Sequence, residues 1–238
     1  MMNKNTLTIA GRQFRSYFNG PIAYIVVSLV LIILGFLFWE TFFLFGRATV
    51  REMFRYFSLI NYFALPALTM GLIAEEKRTG TIELLITMPV TDAQVIVGKY
   101  LGVLGLYAIM VVLTLPYPIS VGNLGNLDWG PVFSGYLGLL LQGAALLGIG
   151  LMMSSFTDNQ LIAFFGALAV SIFFFLVDKF LPFMPSGLAG FAEQISFDFH
   201  VESMRRGVIA LRDVLFFASI AAGCLLVAFR SLESRRWS

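Results

Sequence analysis

Six stretches of the chain carry no charged side chain: Ile22–Trp39, Tyr56–Ala74, Tyr100–Leu127, Trp129–Thr157, Asn159–Val177 and Val214–Phe229. An α-helix needs about 20 apolar residues to cross a bilayer, with roughly 17–25 observed. The first, second and fifth stretches fit one crossing each. The third and fourth have room for a turn, which Asn123-Leu124-Gly125-Asn126 with Gly130-Pro131 supplies. The sixth is short, and Arg230 can snorkel to lengthen it. The pattern predicts six spanning helices. Pro66 is expected to kink the second, and Pro116 and Pro118 to bend or end the third.

The polar segments between these stretches have patterns of their own. Within residues 1–20, Leu7, Ala10, Phe14 and Phe18 recur at helical spacing against Lys4, Arg12, Arg15 and Asn19. This predicts a basic interfacial helix over Thr6–Phe18, with Asn19-Gly20-Pro21 turning the chain into the bilayer. Residues 75–98 form the only long polar interruption before residue 178. There Thr81–Met88 places Ile82, Leu85 and Ile86 on one helical face, between Gly80 and Pro89. Thr91 with Gln94 makes a capping box for the next helix, Val90 and Val95 fit a hydrophobic staple, and Asp92 suits the positive helix end. A short amphipathic helix between two spans is a handle by which something outside the membrane can move both. The alternative is an ordinary amphipathic loop lying on the lipid head groups.

Residues 178–213 read as an amphipathic outer hairpin dipping into the interface. Leu181-Pro182-Phe183-Met184-Pro185-Ser186-Gly187 breaks the chain. Phe197, Val201, Met204 and Val208 then oppose Asp198, Glu202 and Arg206, Gly207 can end that helix, and Asp213 can cap the last span. His200 lies on this helix, either as a structural residue or as a contact to substrate or partner. A second capping box is expected at Thr157 and Gln160, with Phe156 and Leu161 as staple. Small residues four apart, such as Gly98 and Gly102 or Ala144 and Gly148, allow close helix packing.

Composition strengthens the membrane reading and narrows the chemistry. The 238 residues are 58% hydrophobic and only 13% charged, about half the charged share of a soluble domain, and mean hydropathy is +0.85. One membrane domain, 1–238, is expected to fill the chain, without a removable signal peptide in residues 1–20. Scattered basic residues and a net charge of +2 give no nucleic-acid stripe. Cys224 stands alone, so there is no disulfide framework. No GxxxxGK[ST], HExxH or GxSxG occurs, so neither ATP hydrolysis nor hydrolase chemistry is expected of this chain. None of the six stretches holds an ionisable side chain in its interior, and Glu40 and Asp178 sit at edges. An ion gradient is therefore a poor energy source. With both termini inside, the inner segments carry nine Lys and Arg against seven outside. That weak bias, improved by discounting the long 178–213 segment, places both ends in the cytoplasm.

Glu75-Glu76-Lys77-Arg78-Thr79-Gly80-Thr81-Ile82-Glu83-Leu84-Leu85, followed by Met88-Pro89-Val90 and Gly98-Lys99, resembles the cytoplasmic loop of ABC-2 type permeases, the membrane subunits of one class of ABC transporter. The likeness extends over nearly the whole chain. The segment Phe199–Val214 is similar to the GldF-like gliding-motility permeases and, more loosely, to the NosY-like permeases of nitrous-oxide-reductase maturation. The resemblance implies an all-α bundle of six spans in the bacterial inner membrane. Two permease subunits, identical or homologous, would pair above two cytoplasmic ATPases that bind the ATP and Mg. This chain itself would hold no cofactor or metal. Residues 81–88 would be the coupling helix, so that Glu75, Glu76, Gly80, Thr81, Ile82, Glu83, Leu84, Leu85, Met88 and Pro89 would engage the ATPase. The path between subunits would be lined by the second and fifth spans, nominating Asn61, Phe63, Pro66, Phe164, Phe165 and Phe173. The function implied is an exporter subunit. The alternative is a mechanical or assembly subunit acting on a periplasmic partner through His200, Glu202, Arg206, Arg212 and Asp213.

Overall fold

The structure, a computed structural model, describes residues 4–45, 49–81 and 90–233. Among these, the chain forms eleven α-helices and one short 3-10 turn, without a strand. In order they are α1 (Lys4–Asn19), α2 (Pro21–Phe45), α3 (Arg51–Thr69), α4 (Ala74–Arg78), α5 (Asp92–Val112) and α6 (Pro116–Leu124). Then follow α7 (Trp129–Phe156), α8 (Gln160–Phe180), the turn Leu181–Phe183, α9 (Ser186–Ile195), α10 (Phe197–Arg205) and α11 (Leu211–Glu233). Six crossings are long and apolar enough for a membrane: Pro21–Leu44, Arg51–Arg78, Asp92–Leu124, Trp129–Phe156, Gln160–Phe180 and Leu211–Glu233. This is an all-α membrane fold with the six crossings that the charge-free stretches predict.

The bundle is built around α7, which packs against α3, α5, α8, α10 and α11. Its glycines explain how one helix accommodates so many neighbours. A Cβ built at Gly143 would overlap the Tyr107 ring of α5, and one at Gly150 would overlap Thr69 of α3. With no hydrophobic drive between helices in lipid, such close approach supplies the packing energy. Gly98 and Gly102 serve α1 in the same way: a Cβ at Gly102 would lie 2.9 Å from the Ala10 carbonyl oxygen. Thus α1 is seated in a groove of α5 rather than held by lipid alone.

Proline acts where the sequence places it, with one refinement. The third crossing breaks between Val112 and Pro116, as a residue without an N–H requires. In the second crossing, α3 continues through Pro66, and the break comes at Met70–Ile73. The Thr91 capping box is formed, with Gln94 N donating to Thr91 Oγ1 at 3.3 Å and Thr91 N to Gln94 Oε1 at 3.2 Å.

Two expected caps are corrected. The α8 N-cap is Asn159, whose side chain accepts from Leu161 N at 2.9 Å. Thr157 instead accepts from Asn159 N, which frees the Gln160 side chain for another partner. Asp213 caps nothing. It lies in the first turn of α11, fully buried, with its own N–H bonded to the Ala210 carbonyl. Gly207 does end α10, in the left-handed region at φ +95°.

Candidate coupling elbow

The segment that enters the 75–98 loop begins as a broken helix. Leaving helical geometry at Met70–Ile73 strands backbone N–H and C=O groups inside the bundle, where water cannot satisfy them. Three helices supply the missing partners. Ser154 of α7 accepts from Ile73 N at 3.1 Å and Ala74 N at 3.0 Å, and donates to the Met70 carbonyl at 2.9 Å. Lys99 of α5 donates to the Leu72 carbonyl at 2.7 Å. Tyr17 of α1 donates to the Leu68 carbonyl at 2.7 Å; burial pushes its phenol above the ordinary tyrosine range, so it stays a donor.

Below the break, α4 is fastened by charge. Lys99 is buried and meets the Glu76 carboxylate at 2.8 Å. Glu75 accepts from Gln160 of α8 and pairs with Arg78 at 2.7 Å, while Lys77 donates to the Ser155 carbonyl of α7. Gly80 then turns the chain at φ +70°, a conformation that favours glycine. Thr81 hydrogen-bonds the Glu76 carbonyl. The expected contact residues Ile82, Glu83, Leu84, Leu85, Met88 and Pro89 lie outside the described residues. Each elbow bond adds about 0.5–1.5 kcal/mol net, and leaving its buried partner unsatisfied costs about 1–3 kcal/mol. The elbow is therefore densely bonded: α4 is tied to α5, α7 and α8, and the end of α3 above it to α1.

The nominated path residues divide. Asn61 is fully buried, with Nδ2 donating to the Tyr107 hydroxyl at 2.7 Å, which in turn donates to the Leu139 carbonyl at 2.8 Å. Pro66 is also buried in α3. Both are packed within this one bundle and line no surface, because their polar or kinking character serves helix contacts here. Phe63, Phe165 and Phe173 are 51%, 62% and 58% exposed, and Phe164 is half-buried beside Phe165.

At the opposite end, His200 is buried. Its Nδ1 lies 2.7 Å from Asp213 Oδ1, its Nε2 3.1 Å from the Gln194 carbonyl, and its ring stacks on Phe216 at 4.0 Å. Ser203 donates to the other Asp213 oxygen. These bonds clamp α10 onto α11. Glu202 pairs with Arg206 at 2.9 Å and Arg205 at 3.3 Å. Arg212 reaches Asp213 at 3.3 Å and lies 5.3 Å from the Phe199 ring centre.

Tyr17, Lys99, Ser154 and Gln160 were not among the expected site residues. Lys99 stands one position before a charge-free stretch, yet the helix carries it inside the bundle. A lysine abutting a spanning stretch, matched by acids at the end of the preceding one, was the available signal. Ser154 gave none, since serine in an apolar helix usually bonds its own backbone.

Six apolar crossings around a glycine-rich central helix define a multi-pass membrane protein. The chain belongs to the ABC-2 transporter family: the family model described as "ABC-2 family transporter protein" matches residues 53–199. It is accordingly a membrane permease component of an ABC transporter, a non-catalytic part of that assembly. No curated protein matches the chain.

Proposed function

We propose that the chain is the permease subunit of an ATP-driven exporter, moved by a separate cytoplasmic ATPase through residues 75–98. The observation that carries this reading is the elbow: the root of that loop is bonded to α1, α5, α7 and α8. A push on the loop is thereby shared by the whole bundle as rigid-body rocking. Two permeases, identical or homologous, pair over two ATPases that bind ATP and Mg. Six crossings return the chain to its starting side, and the nine-to-seven bias of Lys and Arg favours the cytoplasmic side of a bacterial inner membrane for both termini. The largely uncharged spans suit an amphiphilic passenger better than an ion.

The chain purified alone should hydrolyse no ATP, and its ATPase should show stimulated turnover when the two are reconstituted. Substituting Glu83 or Leu85 should uncouple the two while leaving the ATPase active. Hydrolysis by the lone chain would overturn the proposal.

A second reading is favoured by the outer helices, which pack on α7 and α8 and are bonded to α11 through His200 and Asp213, with residues 199–214 resembling GldF-like and NosY-like permeases. In it, motion is delivered to a periplasmic partner and nothing crosses. Loss of function on changing Glu202 or Arg206, with bulky residues tolerated at Phe165 and Phe173, selects this reading over transport.

A further inference from the structure

The outer end of the bundle holds an open cavity of about 690 Å³ between the first turns of α3, the last turn of α8 and helix α10. Six cations line it: Arg51, Arg55, Lys179, Arg205, Arg206 and Arg212. Four carboxylates share the wall, and each already has a cation: Glu52 on Arg55, Asp178 on Lys179, Asp198 on Arg205, Glu202 on Arg206. Arg51 makes no ion pair among the described residues. Arg212 reaches only Asp213, whose carboxylate His200 and Ser203 also hold. Arg205 is buried and its Nε has no partner. The cavity therefore carries surplus positive charge, six cations against four carboxylates.

Its surroundings identify the kind of anion. On α3, Arg51, Arg55, Leu59 and Phe63 fall four apart on one exposed stripe, so the basic rim continues directly into an apolar surface. From Arg55 to Phe63 that stripe descends about 12 Å at 1.5 Å per residue. On the adjoining α8, exposed Leu176 and Phe173 lie one and two turns below Lys179. A free anion has no use for that apolar surface. An amphiphile satisfies both parts, with its head in the cavity and its chain on the stripe.

We propose that this cavity binds the phosphate head group of an anionic amphiphile. Arg51 and Arg55 are its principal donors. The site needs only that the chain spans a bilayer, and it stands whether or not that molecule is the passenger.

The test uses the full chain in a neutral detergent, with native mass spectrometry measuring retained phosphatidylglycerol, phosphatidylcholine or inorganic phosphate. Phosphatidylglycerol should be retained well above phosphatidylcholine, and inorganic phosphate should compete poorly. Arg51→Gln with Arg55→Gln should weaken phosphatidylglycerol retention about tenfold, the effect of losing one charge-assisted hydrogen bond. Both arginines are exposed, so folding should survive, and Glu52→Gln should tighten retention. Arg230→Gln, at the other end of the bundle, should change nothing. Equal retention of the two lipids overturns the proposal, as does wild-type retention by the double variant. Displacement by inorganic phosphate as effective as by lipid overturns the amphiphile and leaves a soluble anion. None of these readouts requires ATP or the ATPase, so failure here leaves the coupling proposal untouched.

Discussion

The two ends of the bundle use polar side chains in opposite ways. At the elbow, Ser154, Lys99 and Tyr17 are spent on the backbone of a broken helix. At the outer end, His200 is spent on Asp213 and Arg205 on Asp198, and the remaining charges line an open cavity. The first arrangement makes a joint that cannot slacken without stranding buried N–H and C=O groups. The second fixes a cover and leaves its rim free to meet a ligand. On the two proposals made above, motion enters at one end and recognition takes place at the other.

That contrast can be broken by mutation. The largest effect is expected for Glu76→Ala, which leaves Lys99 buried without its counter-charge, at about 3 kcal/mol. Both unfolding stability and stimulated ATPase activity should fall. Adding Lys99→Met should restore much of the stability but not the stimulation, because the elbow then lacks its pin. A double-mutant cycle measures this directly. At the outer end the corresponding pair His200→Phe and Asp213→Leu should be far better tolerated together than singly, since a buried, hydrogen-bonded polar pair can be replaced by packing. If the outer double variant abolishes function while keeping its fold, the assignment of roles to the two ends is wrong.

Ser154→Ala removes the shared partner of Ile73 N, Ala74 N and the Met70 carbonyl. It should cost about 1–3 kcal/mol, read as faster hydrogen exchange confined to residues 70–78. Gly143→Ala tests the packing that holds both ends in register, since its Cβ would overlap Tyr107, with about 1–3 kcal/mol lost. The smallest effect belongs to Arg206→Gln: its pair with Glu202 is exposed, and stability should change by less than about 1 kcal/mol.

Much of the fold was legible in the sequence because the bilayer imposes it. Charge-free stretches of fixed length must be helices there, and the predicted six are those observed. The Thr91 cap and the Gly207 stop were also readable, since each depends on a few adjacent residues. The Thr157 cap was misread because Asn159 can offer the same oxygen two residues later. That choice releases Gln160 to Glu75, 85 positions away. Asn61 and Pro66 were assigned to a surface path because span number says which helix a residue is on and nothing of where its side chain points.

By itself, then, the chain determined its crossings and its interruptions, both of which follow from local composition. Only tertiary structure decided which polar residues answer which. Lys99 and Glu76 are 23 positions apart, and Ser154 is 81 from the amide it holds. The physical reason is that satisfaction of a buried polar group is a property of the space around it, which neighbours in sequence do not fill.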